Sequence, residues 1–231
     1  MYLKPRSFSK AVCLPIFLIS SFFAGSTTAA TWAERGDAGD SLGSAQVPTG
    51  NVSTITGIAS TSLDVDLYKI YIADPVNFSA AMSGGDGSGL YDSALALFNR
   101  DGLGVYGNDD ATLGNGQAGL PANHVLGPQT EGIYYLAVFD ATSWPTSSNI
   151  STPDTFIFPT VGYPYTQIVG PTGGGGTSPL AAWLPLDYEI ALHGSYSIAL
   201  AGVSPIPEPE PYALLLAGLG MLGAIVRTRN I

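Results

Sequence analysis

Ile133-Tyr134-Tyr135-Leu136-Ala137-Val138-Phe139 is apolar on both of its alternations. Successive strand residues point to opposite faces, so such a run reads as a central strand. Outward from it, Asp66 to Ala73 alternates, with Tyr68, Ile70 and Ile72 on one face and Lys69 on the other. Ser195 to Leu200 alternates too, with Tyr196, Ile198 and Leu200 on one face. Asn51 to Ile58, Phe78 to Met82, Ala94 to Phe98 and Tyr188 to Leu192 are further strand candidates. Clusters of Gly, Asn, Asp and Pro separate them, as turn chemistry requires. No segment from 31 to 204 carries a convincing helical period. Short strands with turns about 8–12 residues apart indicate a sandwich or barrel. The reading adopted is all-β: an antiparallel two-sheet β-sandwich with jelly-roll connections.

Composition agrees. The chain has 29 Gly and 17 Pro among 231 residues, which argues against a helical bundle. Hydrophobic residues make up 45%, enough to bury a core. Between 31 and 204 only Arg35, Lys69 and Arg100 are basic, against sixteen acidic residues, so this body carries a formal charge of −13. Such a surface repels polyanions and attracts cations, which excludes nucleic acid as a partner.

Residues 141–186 interrupt the strand pattern with Pro145, Pro153, Pro159, Pro164, Pro171, Pro179 and Pro185. A structureless loop of that length is improbable in a compact domain. It reads as an elaborated insertion ordered by Phe156, Phe158, Tyr163, Tyr165 and Trp183. Two versions stand: a cover over one sheet edge, or an aromatic platform on which Trp144 and Trp183 stack sugar rings. Gly173 to Gly176 lacks the following Lys and Ser/Thr of a phosphate loop and reads as a flexible turn.

The two ends read as address labels. Lys4, Arg6 and Lys10 precede an apolar run from Ala11 to Gly25, and small residues end at Ala30. That order defines a secretory signal peptide over 1–30, cut after Ala30; an uncleaved anchor helix is the alternative. Cys13 lies inside it, so the mature chain has no cysteine, no disulfide and no thiol nucleophile. At the other end, Pro205-Ile206-Pro207-Glu208-Pro209-Glu210-Pro211 forms an extended spacer. Tyr212 to Val226 follows without a charge, then Arg227 and Arg229. These 15 residues reach roughly 22 Å as a helix, short of a ~30 Å hydrocarbon core. The arginines would stay on the cytoplasmic side.

Pro207-Glu208-Pro209, the apolar run and the Arg227/Arg229 end resemble the PEP-CTERM sorting signal of Gram-negative bacteria. The resemblance over 205–231 implies an exosortase that cuts near Pro207-Glu208-Pro209, after transient inner-membrane anchoring by a transmembrane helix at 212–226. A plain C-terminal anchor is the alternative.

The body resembles the bacterial pre-peptidase C-terminal (PPC) domain. The residues that carry this are Asp64-Val65-Asp66-Leu67-Tyr68-Lys69-Ile70, Asp92-Ser93-Ala94-Leu95-Ala96-Leu97-Phe98-Asn99-Arg100-Asp101-Gly102, Asn108-Asp109-Asp110, Gly132 to Val138 and Gly194 to Leu200. The resemblance implies a β-sandwich over 31–204 with no catalytic machinery. Such domains accompany proteases, and none is present here. In this resemblance the Asn-Asp-Asp turn returns toward the Asp92 strand start.

The one Gly-x-Ser-x-Gly spacing, Gly39-Asp40-Ser41-Leu42-Gly43, lacks the strand-to-helix setting of a nucleophile elbow, and there is no His-Glu-x-x-His. His124 and His193 are far apart, and a lone histidine is more often structural than catalytic. Calcium is the site hypothesis that the residues favour, because it takes six to eight hard oxygens. Asp37, Asp40, Asp92, Asn99, Asp101 and Asn108 lie in turn-rich sequence, and Asp64, Asp66, Asp109 and Asp110 are the preferred ligands. The competing reading makes them ordinary turn residues. No cofactor is required; calcium is the one candidate. The expected protein is a noncatalytic surface or extracellular-matrix protein associated with exopolysaccharide in biofilm. The alternatives are a carbohydrate-binding module and a calcium-dependent accessory domain of a secreted hydrolase system. The expected partners are the Sec translocon, signal peptidase, an exosortase and exopolysaccharide.

Overall fold

The computed structural model describes residues 30–61, 63–84, 92–114, 116–148, 153–186, 194–207 and 218–219. Along the chain run β1 (Ala30–Ala33), β2 (Val52–Ala59), β3 (Val65–Ile72), β4 (Ser79–Gly84), β5 (Ser93–Asn99) and β6 (Gly104–Asn108). Then come β7 (Gly119–Leu120), β8 (Gly132–Asp140), β9 (Ser143–Thr146), β10 (Ala182–Pro185), β11 (Gly194–Ala201) and β12 (Val203–Ser204). Pro153–Thr155 forms one 3-10 turn, and Gly218 and Leu219 are helical. The body is therefore mostly β, with almost no helix. The signal segment 1–29, most of the 212–226 run and the expected strand at Tyr188 to Leu192 lie outside the described residues. No helix among the described residues is long and apolar enough to cross a membrane.

The strands form two five-stranded sheets, β1-β2-β11-β4-β7 and β12-β3-β8-β5-β6, and a two-stranded sheet of β9 and β10. Pairing is antiparallel everywhere but between β1 and β2, which run parallel with Trp32 opposite Ile55. The central-strand reading of Ile133 to Phe139 matches β8, which lies between β3 and β5. One rung of that sheet is Tyr68, Leu136 and Leu97.

The two faces of β8 enter two different cores. Leu136 and Val138 join Tyr68, Ile72 and Leu95 against Ile55, Met82, Tyr196 and Ile198 of the other large sheet. Ala137 and Phe139 join Leu67, Ala96 and Phe98 under Trp144, Phe156, Ile157 and Phe158 of the insertion. Each Val, Leu, Ile, Phe or Met among them contributes about 1.5–3 kcal/mol when fully buried. A strand with a core on both sides has no position left for a polar residue, which is why this run reads as continuous apolar sequence.

The insertion at 141–186 thus covers the outer face of a sheet, more than an edge. In β9 and β10, Trp144 pairs with Leu184 and Pro145 with Trp183. Backbone bonds from Ile157 N to Pro145 O, Ser147 N to Thr155 O and Leu180 N to Gly102 O tie it down. Gly173 to Gly176 forms the expected turn, closed by Gly176 N to Gly173 O and Ser178 N to Gly175 O. A Cβ on Gly173 would strike the carbonyl of Phe156, one on Gly174 the backbone of Asp154, and one on Gly176 the carbonyl of Pro171. These glycines serve close approach of two backbones, which no larger residue allows.

Candidate functional site

Register brings the acidic residues of one sheet end together. Asp92 immediately precedes β5, and Ser93 pairs with Asp140, the last residue of β8. Ala141 N donates to Asp92 O and keeps the two strand ends side by side. Asp109 and Asp110 follow β6, whose Asn108 pairs with Leu95 of β5. One carboxylate oxygen from each of Asp92, Asp109 and Asp110 lies within 4.8 Å of the others. Asp109 is 7% exposed, Asp110 8% and Asp140 1%. Asp140 Oδ1 is occupied by the Thr142 backbone amide at 2.8 Å and by the Thr142 hydroxyl.

Burial pushes the Asp109 carboxyl up to about 7, and the negative charges of Asp92, Asp110 and Asp140 add to that. Asp92 is raised as well, first by burial and then by Asp110 and Asp140. Two full charges 4.8 Å apart repel by about 3 kcal/mol at an effective dielectric constant near 20. Among the described residues no ion pair relieves this. Lys69 shares its rung with Tyr135 and Phe98, five residues along β8 from Asp140, or roughly 17 Å. Arg100 follows the far end of β5 and pairs with Asp101 in solvent. Asp110 Oδ1 is buried and meets no hydrogen-bond donor among the described residues.

A second acidic group gathers oxygens from Glu34, Asp37 and Asp66 within the same 4.8 Å limit. Here the chain supplies donors. Ala38 N and Ile58 N donate to the two Glu34 oxygens, both at 2.9 Å. Gly39 N donates to Asp37 Oδ1 at 2.8 Å. The Tyr196 hydroxyl donates to Asp66 Oδ2 at 2.6 Å and is hydrogen-bonded in turn to the Tyr68 hydroxyl. Asp66 is 1% exposed, and burial pushes its carboxyl up to about 8 against the lowering effect of Tyr196. The Glu34 carboxyl beside it favours the protonated acid further. A proton on Asp66 gives its otherwise donorless Oδ1 a hydrogen to share.

The four preferred calcium ligands therefore fall in two places. Asp109 and Asp110 meet Asp92; Asp66 meets Glu34 and Asp37. Asp64 precedes β3, and its Oδ2 accepts from Ser60 N, so it works as a turn residue. Asn99 does the same for Asp101 N and Leu103 N. Among residues that the sequence reading did not single out as ligands, Glu34 and Asp140 stand beside these groups. The signal for Asp140 was its place directly after the central strand.

The two tryptophans are not presented to solvent as a platform. Trp144 is 1% exposed, donates its indole N–H to Ala141 O, and packs edge-on against Phe139 and Phe158. Trp183 is half-buried, donates to Asp40 O and lies against Phe98 and Phe139. The aromatic faces are spent on the second core. His124 stacks on Tyr106, and its Nδ1 accepts from Leu126 N; His193 lies outside the described residues.

The tail leaves the body at β12, which pairs with β3 through Val203 and Ile72. Pro205 and Pro207 are exposed. Glu208, Pro209, Arg227 and Arg229 lie outside the described residues. Residues 205–230 match the family model of the PEP-CTERM protein-sorting motif. No curated protein matches the chain. The motif makes this an exported protein, anchored transiently in the membrane before processing, with an exosortase as its processing partner.

Proposed function

We propose that the chain is a noncatalytic surface or extracellular-matrix protein whose body is a stand-alone PPC-like β-sandwich. A signal peptide delivers it through the Sec translocon, and signal peptidase cuts near Ala30. The exosortase then cuts near Pro207-Glu208-Pro209, and the body acts outside the cell beside exopolysaccharide. The observation that carries this reading is where the described strands end. β12 closes the sheet at Ser204, and exposed proline follows at once. A cut beyond Pro207 removes no described strand. The noncatalytic part is supported by the engagement of His124, which stacks on Tyr106 and accepts from Leu126 N.

The test is intact mass of the protein recovered outside cells that carry the exosortase and cells that lack it. The expected species begins near Thr31 and ends near the Pro-Glu-Pro motif, and it disappears without the exosortase. A surface-exposed species that still contains 212–231 would overturn the proposal.

A further inference from the structure

Turn chemistry accounts for several of the body's Asp side chains. Asp37 holds Gly39 N, Asp64 holds Ser60 N, and Asp74 holds Asn77 through its backbone and side-chain amides. The group at the start of β5 differs in two independent respects. Its three carboxylates approach one another within 4.8 Å, with no ion pair to them among the described residues. Asp110, more than nine-tenths buried, keeps Oδ1 sealed from water with no donor among the described residues. A buried acceptor without a donor costs the desolvation that a hydrogen bond would have returned. A cation that accepts oxygens from several sides at once would meet both features.

We propose that Asp92, Asp109 and Asp110 bind a calcium ion at the end of the sheet where β5 begins and β6 and β8 end. Each carboxylate can give one or two oxygens, and water completes a shell of six to eight. Calcium tolerates irregular oxygen geometry, whereas magnesium demands a near-ideal octahedron and holds its water. An exported protein meets calcium at concentrations that suit extracellular modules, whose Kd values are about 10⁻⁴–10⁻³ M. The bound ion would clamp the loop after β6 to the β5 and β8 ends. This inference does not depend on the sorting step.

The test is calorimetric titration of the full chain with calcium chloride, and separately with magnesium chloride. Wild type is expected to bind one calcium in that range and magnesium at least tenfold more weakly. Asp110→Asn is expected to weaken binding at least tenfold, and Asp109→Asn with Asp110→Asn to abolish it. Asp37→Asn, in the other acidic group, is expected to leave the titration as it is. Circular dichroism in chelator shows that each variant is folded. Should Asp110→Asn fail to fold, Asp92→Asn, at a half-buried position, reads the same site. No calcium heat at millimolar concentration, equal magnesium affinity, or loss of binding in Asp37→Asn would each overturn the proposal.

Discussion

Two acidic groups sit on the same body, and the chain treats them differently. Around Glu34, Asp37 and Asp66 it provides three backbone amides, a tyrosine hydroxyl and a proton held by burial. Each group keeps one buried oxygen without a donor, Asp66 Oδ1 in the first and Asp110 Oδ1 in the second, and the second has Lys69 and Arg100 toward the other end of its sheet. Both meet the same distance limit for holding a metal. The difference shows that proximity of carboxylates is a weak criterion. What discriminates is how many donors the protein aims at the oxygens: three amides and a hydroxyl in the first group.

The strongest way to break the first group is through its tyrosine. Tyr196→Ala removes a ring buried between the two large sheets and strands Asp66. It is expected to cost about 3–5 kcal/mol in urea denaturation. Tyr196→Phe keeps the ring and is expected to cost about 1–3 kcal/mol, with calcium affinity unchanged. A joint loss of stability and calcium affinity in Tyr196→Phe would erase the distinction between the groups.

Next comes relief of repulsion in the second group. In chelator, Asp109→Asn with Asp110→Asn is expected to stabilise the chain by about 1–2 kcal/mol, since it removes charges that nothing opposes. Destabilisation in chelator would mean that the protein itself satisfies these carboxylates.

A pH profile sharpens the contrast from the other side. Asp66 is raised from 3.8 to about 8, so the folded state binds a proton that the unfolded state has lost. Its contribution to stability is intact below about pH 4 and declines as pH rises toward about 8. The slope is expected to be at most about 1.4 kcal/mol per pH unit. Asp66→Asn, studied in chelator, should lessen that slope; an unchanged profile would show that Asp66 is ionised in the fold. The smallest effect belongs to Asp37→Asn, at an exposed position, with a stability change within about 0.5 kcal/mol.

The large strands were legible because their apolar patterns report a core directly. β2, β3, β4, β5, β8 and β11 all begin and end within two residues of the runs read from sequence. β6, β9 and β10 were hidden by their composition. Gly104 and Gly107 lie in β6, Pro145 in β9 and Pro185 in β10, and such residues read as turns. The reason for Gly104 is tertiary: a Cβ there would press on Ile157 of the insertion. The same tertiary layer misled the reading of Trp144 and Trp183, since an aromatic cluster that builds a core looks in sequence like one that builds a platform. For the acidic groups, the sequence reading joined Asp109 and Asp110 to Asp64 and Asp66, which lie elsewhere. It carried no information on which oxygens find donors, because Ala38, Ile58 and Tyr196 come from three separate segments.

The most direct measurement is thermal unfolding of the full chain in chelator, in magnesium and in calcium. At 10–100 times Kd one bound ion adds roughly 1.4–2.7 kcal/mol, and about 2–4 °C accompanies each kcal/mol at this size. Calcium is therefore expected to raise the midpoint by several degrees in wild type, magnesium far less, and neither in the Asp109→Asn, Asp110→Asn double variant. Superimposable curves in chelator and calcium, or a calcium shift that survives the double variant, would contradict the account.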